Sequence, residues 1–287
     1  MNLQELLSRK TYSYALPGIV LGSAPSVKFA RKIQQNKIQI ALGDLPWRAP
    51  KLGPFDFWVT ANNIFPLPWN PKHAQIIKEL NLPTLISCVA LSNLHFMELH
   101  EEDKFLKRNG MLNLSNVIPY DSVHSSTSLS PIKNLNSCPF PPEFDVGPSI
   151  QNLILKLNKY SNSTYSTGHT VAIHGFALAI LLQLNPIYLC GIEIPRSMNK
   201  YKYINNLKKL NYSDETIDQY CKRMIKNYIG GVGKKFGTDF SNDTFYKIIE
   251  DFTILTDLAK NLGIEVINLS ANSSLANIKG ITTIEKI

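Results

Sequence analysis

Near the start of the chain an apolar run, Gly18-Ile19-Val20-Leu21, breaks into a turn of small residues, Gly22-Ser23-Ala24-Pro25-Ser26, and a helix-forming stretch follows to Gln34. This order constrains the fold more than any other feature. A short apolar run bounded by glycines reads as a buried strand, and proline at a helix-initiating position marks the change of element. A helix that starts this way leaves backbone N–H groups directed outward, a natural seat for phosphate. The pattern returns downstream. There Ser166-Thr167-Gly168 opens a long apolar helix that leads into the strand-like run Ile187 to Glu193. Two such helix starts suggest a nucleotide held between the two halves of an α/β sheet.

Strands are expected near 18–22, 38–42, 56–61, 84–88, 116–119, 187–192 and 264–269, as short β-branched or apolar runs bounded by Gly, Pro or Asn. Helical patterns fill the gaps: 26–34, 71–80, 150–160, 168–184 and 243–262, the last ended by Gly263 as a left-handed cap. Strands alternating with helices give an α/β fold, Rossmann-like, with a mostly parallel sheet and helices on both faces. Residues 122–148 read as a long Ser/Pro/Asn-rich loop. Residues 195–243 read as a partly helical lid, inserted over the place where such folds bind ligands. Residues 1–194 and 244–287 then form one nucleotide-binding domain.

The length of 287 residues and a hydrophobic content of 44% suit a globular protein with a sizeable core. The first residues are amphipathic and lack the apolar stretch of a secretory signal. Cys88, Cys138, Cys190 and Cys221 are widely separated, with no metal-binding cluster. Free thiols point to a reducing, cytoplasmic setting. The net charge of +8 is uneven: between Lys200 and Lys235 nine Lys/Arg face three acids, nine minus three giving +6. That segment is a solvated face, a cover for an anionic nucleotide, or a surface toward anionic lipid at the inner membrane face. No nucleic-acid motif accompanies the charge, so nucleic acid is not an expected partner.

Taken together, the motif blocks resemble the bacterial family-42 sialyltransferases and the wider set of MptE-like domains that share their core. The blocks run in order over nearly the whole chain. They are Gly22-Ser23-Ala24-Pro25-Ser26, the turn at Ile40-Ala41-Leu42-Gly43-Asp44, the strand end at Asn62-Asn63, and Ser166-Thr167-Gly168. Then come the strand from Ile187 to Glu193, Tyr228-Ile229-Gly230 in the lid, and the tail from Asn272-Ser273 to Asn277. Three positions depart from the pattern. Ala24 replaces the second glycine of the opening turn, Glu193 stands where the family usually has Asp, and Gly231 stands where it has a histidine base.

The resemblance implies a glycosyltransferase that moves a nonulosonic sugar, such as sialic acid, from a CMP-activated donor to a glycan or glycolipid acceptor. It implies an inverting, metal-independent reaction without a cofactor, because a donor with one phosphate does not demand a divalent cation. The nucleotide-binding residues would be Gly22, Ser23, Ala24, Pro25, Ser26, Asp44, Asn62, Asn63, Ser166, Thr167, Gly168, Glu193, Asn272 and Ser273. Tyr188 and Tyr228 match the family tyrosines whose hydroxyls stabilise the leaving phosphate. With Gly231 in the histidine's place, the candidates for the base are His169, Glu193, Asp239 and Asp243, and His169 at the predicted helix start is the catalytic choice. A helix N-terminus keeps such an imidazole neutral. His174, within the apolar run, reads as a core histidine. A peripheral membrane contact through the basic lid and homo-oligomer formation complete the expectation. Two alternatives stay open: an MptE-like diphosphokinase using ATP and Mg²⁺, and a non-catalytic nucleotide- or glycan-binding protein.

Overall fold

A computed structural model describes residues 3–9, 16–33, 36–43, 45–60, 84–87, 117–120, 150–157, 170–194, 242–270 and 273–284. The described strands are β1 (Gly18–Leu21), β2 (Ile38–Leu42), β3 (Phe57–Thr60), β4 (Thr84–Ser87), β5 (Val117–Tyr120), β6 (Ile187–Cys190), β7 (Val266–Asn268) and β8 (Ile281–Thr283). They form one sheet in the order β5-β4-β3-β2-β1-β6-β7-β8. Every pairing is parallel. The described helices are α1 (Leu3–Arg9), α2 (Leu45–Arg48), α3 (Ile150–Leu157), α4 (Val171–Leu181) and α5 (Asn242–Asn261), with 3-10 turns at Pro25–Lys32, Pro50–Leu52 and Ser274–Asn277.

Alternation along each strand shows why the sheet is covered twice. Val20, Ile40, Leu42, Phe57, Val59, Leu189 and Val266 point into the larger core, beneath α1, α3, α4 and α5. Ile19, Leu21, Ala41, Trp58, Tyr188, Cys190 and Ile267 point into a smaller core beneath the 3-10 segment 25–32 and α2. A parallel strand buried on both faces needs apolar residues at every position, and all four residues of β1 and of β6 are buried. The expected α/β layering is therefore found.

Helix α4 lies at the centre of the larger core. Residues Ala172 to Ile180 are all buried, His174 among them, which fits a helix apolar on every side. Gly175 lets it settle directly onto the sheet, since a Cβ there would run into Leu42 and Val20. Phe176 of α4 stacks on Phe252 of α5, ring centroids 5.8 Å apart. Gly263, at φ +72°, ends the chain's last long helix in the left-handed turn its sequence requires.

Four differences from the sequence reading stand out. Residues 25–32 form a 3-10 rather than an α-helix. Helix α4 begins at Val171, capped by Thr170, three residues later than the glycine suggested. Helix α5 begins at Asn242, one residue before the expected start at 243. The short strand β8 has no counterpart in the reading; its three residues, with a burial pattern of one buried position in three, give no alternation to read. The helix expected at 71–80, the loop expected at 122–148 and residues 195–241 of the expected lid lie outside the described residues.

Candidate functional site

The sheet's order reverses at β1. From β1 the chain moves outward through β2 to β5 on one side, then returns to β6 on the other. In open parallel sheets, ligands bind beyond the strands' carboxyl ends at such a switch point. Register places the relevant ends side by side: Leu21 pairs with Ala41 of β2 and with Cys190 of β6, and Leu189 pairs with Asn268 of β7. The turns after these strands, 22–26, 43, 191–194, 269–270 and 273–274, therefore share one edge.

Two glycines meet at the reversal. A Cβ on Gly22 would overlap the Gly191 carbonyl, and a Cβ on Gly191 would overlap the Gly22 carbonyl and crowd Val27. Gly191 also has φ +68°, a conformation that side chains disfavour. Backbone bonds close the contact: Gly22 N–H donates to the Cys190 carbonyl at 2.8 Å and Ala24 N–H to the Gly191 carbonyl at 3.0 Å.

Ser26 ties the edge together. Its N–H donates to Oε1 of Glu193 at 2.8 Å, its Oγ accepts from Gly191 N–H at 3.2 Å, and the same Oγ lies 2.6 Å from Oγ of Ser270. The Cys190 thiol donates to the Ser26 carbonyl at 3.3 Å. Ser270 is held by Asn268, whose Oδ1 accepts the Ser270 N–H and whose Nδ2 donates to the Ser270 carbonyl. Ser273 Oγ accepts from the N–H groups of Ile194 and Leu275. The exits of β1, β6 and β7 thus form one buried polar network. Burial pushes the Cys190 thiol up to about 12, with the nearby Glu193 charge acting in the same direction. This thiol stays protonated and packs as a small core residue, as its sequence setting implied.

These bonds revise the site. The first turn does not present a row of free N–H groups: those of Ala24 and Ser26 are used within the protein, and the Glu193 carboxylate occupies the helix start in place of a phosphate. Ser26, Glu193 and Ser273, all three expected at the nucleotide, are buried at 1%, 8% and 0% exposure and hold the turns in place. Gly22 and Ala24 are buried with them, whereas Ser23 and Pro25 are half-exposed. Within the turn, Ser23 is the residue whose N–H makes no bond to a described residue. The second helix start is also self-capped: Thr170 Oγ1 accepts from Ala172 N–H at 3.4 Å.

Tyr188 is moved as well. It is the second residue of β6, paired with Ile19 and Ile267, 8% exposed and packed in the smaller core. This sets it two residues inside the edge, with its ring packed in the smaller core. The turn after β2 is pinned by Trp58, whose indole N–H donates to the Gly43 carbonyl at 2.6 Å. Asp44, Asn62, Asn63, Ser166, Thr167, Gly168, His169, Tyr228, Gly231, Asp239 and Asn272 lie outside the described residues; Asp243 falls within α5, at its second residue.

No family model matches the chain, and no curated protein matches it. Among solved structures, it is similar to the sialyltransferase CstII of Campylobacter jejuni in complex with a substrate analogue, with 16% identity, a TM-score of 0.41, and coverage of 93% of this chain and 84% of that one. The monofunctional alpha-2,3-sialyltransferase Cst-I of the same organism gives 16% identity, a TM-score of 0.42, and coverage of 94% and 82%. No group of three or more His, Cys, Asp or Glu able to hold a metal occurs among the described residues, and no described helix is long and apolar enough to cross a membrane.

Proposed function

We propose that the chain is a glycosyltransferase that moves a nonulosonic sugar from a CMP-activated donor to a glycan or glycolipid acceptor, with inversion and without a metal. The observation that carries this reading is the convergence of separate motif blocks on one edge. The turn 22–26, the β2 exit at Gly43, the β6 exit at 191–194 and the tail at 273–274 are far apart in sequence and adjacent at the switch point. Those are the blocks whose order resembles the family-42 sialyltransferases.

In this reading the bond between the anomeric carbon and the CMP phosphate breaks through an oxocarbenium-like transition state. The Ser23 N–H is the donor the opening turn offers to the nucleotide, and Asp44, Asn62, Asn63, Thr167 and Asn272 supply further polar contacts. Tyr228 takes the leaving-phosphate role and His169 the role of base. The basic segment 200–235 covers the anionic donor and faces an anionic membrane surface, which fits a cytoplasmic protein peripheral to the inner membrane that acts on a cell-surface glycan precursor, alone or as a homo-oligomer.

Thermal shift with CMP, CDP, UDP, ATP and GTP, each with and without Mg²⁺, tests the nucleotide. A ligand at a hundred times its Kd stabilises by about 2.7 kcal/mol. Stabilisation by CMP or CDP without metal is expected. A shift that needs both ATP and Mg²⁺ would assign a diphosphokinase instead, and CMP binding without turnover of CMP-sialic acid would leave a non-catalytic binder. The tyrosines separate by turnover. Tyr228→Phe is expected to slow transfer more than about tenfold, the scale of a lost electrostatic donor. Tyr188→Phe keeps the packed ring, and its rate should stay within about threefold; a larger drop at Tyr188 than at Tyr228 would reverse the assignment.

A further inference from the structure

We propose that Glu193 is a positioning residue that fixes the opening turn by taking the anion seat at its helix start. Three observations meet here. Glu193 is 8% exposed, and its carboxylate accepts the Ser26 N–H at 2.8 Å across a sequence separation of 167 residues. The Ser26 side chain is held at the same point by Gly191 N–H and Ser270 Oγ. Gly22 and Gly191 cross so closely that a Cβ on either would overlap the other's carbonyl.

The chain therefore brings its own anion to the place where many nucleotide-binding folds seat a phosphate. A second negative group cannot enter without displacing the first. The donor's phosphate is excluded from the Pro25 helix start and directed to the half-exposed side of the turn, where the Ser23 N–H lies. This last step rests on the nucleotide reading above; the positioning of the turn by Glu193 does not. Length matters as well as charge: an aspartate at 193 would be one methylene short of a bond already at 2.8 Å.

Amide hydrogen exchange at Ser26 reads the positioning directly and needs no ligand. Glu193→Ala is expected to speed exchange at Ser26 at least a hundredfold, with the amides of β2 and β3 within threefold of the native protein. Glu193→Asp should speed it at least tenfold, and Glu193→Gln, which keeps an oxygen acceptor at full length, should restore most of the protection. The Asp and Gln variants carry the test if the Ala variant fails to fold. Exchange unchanged within twofold in Glu193→Asp, or accelerated equally across the whole sheet, would overturn the proposal. For the donor, Glu193→Asp should raise KM for the CMP-sugar at least tenfold while kcat changes less than threefold; an unchanged KM would overturn the exclusion step. If the native protein binds no cytidine nucleotide, the glycosyltransferase reading fails while the exchange result at Ser26 still decides the role of Glu193.

Discussion

Replacing Gly191 with alanine is expected to be among the most damaging single-methyl changes in this chain. Two independent costs add. The residue sits at φ +68°, and a left-handed conformation costs an L-residue with a side chain roughly 1–2 kcal/mol. The added methyl also overlaps the Gly22 carbonyl and presses on Val27, and forced overpacking in a closed site costs about 1–3 kcal/mol more. The clash is with backbone on one side, so no rotamer change relieves it. Together they predict a loss of about 3 kcal/mol, read as a drop in Tm on the order of 10 °C. Relief would require the turns after β1 and β6 to separate, breaking the bond from Ala24 N–H to the Gly191 carbonyl. The protein that remains folded should therefore also lose ligand stabilisation in the nucleotide thermal-shift test. A Gly191→Ala protein that melts within 2 °C of the native one would show that the two exits do not cross as closely as described. Gly43, also at positive φ but with no described residue within 4 Å of its added Cβ, is the control: it should show the conformational cost alone.

The contrast between these two glycines marks what the sequence can and cannot reveal. The runs at 18–21 and 187–190 are legible as strands because burial on both faces leaves no polar position in either. Gly263 is legible as a helix end because a left-handed cap favours glycine. The turn at Gly22 to Ser26 is legible as the end of a buried strand, but its chemistry is not. Whether an N–H at a helix start is open to a ligand depends on what the rest of the chain brings to it. Here Glu193, 167 positions away, brings a carboxylate, and Thr170 closes the second helix start from its own cap position. The sequence signal for the first was its departure from the resembling family's shorter acid, which Glu193 lengthens by a methylene. Ser273 and Tyr188 show the same limit of a sequence: residue type marks both as able to touch a ligand, and the packing around them appears only in the fold. Ser273 spends its oxygen on Ile194 and Leu275, and Tyr188 faces the smaller core. Ser270, the partner of Ser26 two residues beyond β7, carried no signal, since a lone serine after a strand is an ordinary turn residue.

Phe252→Ala should lower stability by about 4 kcal/mol, within the usual range of 3–5 for a buried aromatic. Phe252 is fully buried and stacked on Phe176. Its helix, α5, comes after the long stretch from 195 to 241, yet it packs on α4 and over β7 in the same core as strands from the first sixty residues. If residues before 195 and after 241 build one folding unit, the damage must spread to both. Thermal unfolding of the variant should stay a single transition, and, with Trp47 and Trp69 replaced by Phe so that Trp58 in the smaller core reports alone, its fluorescence should fall at the same temperature as helical circular dichroism. Unfolding in two separate steps, with the Trp58 signal keeping its native midpoint, would mean that the C-terminal helix folds apart from the N-terminal sheet. The candidate site would then be assembled by docking of two units rather than built into one core. The single transition is expected because the cavity left by the lost ring opens against Phe176, and α4 rests directly on β1 and β2 through Gly175. Damage at α5 therefore passes through α4 to the strand whose exit carries Gly22 and Ser26.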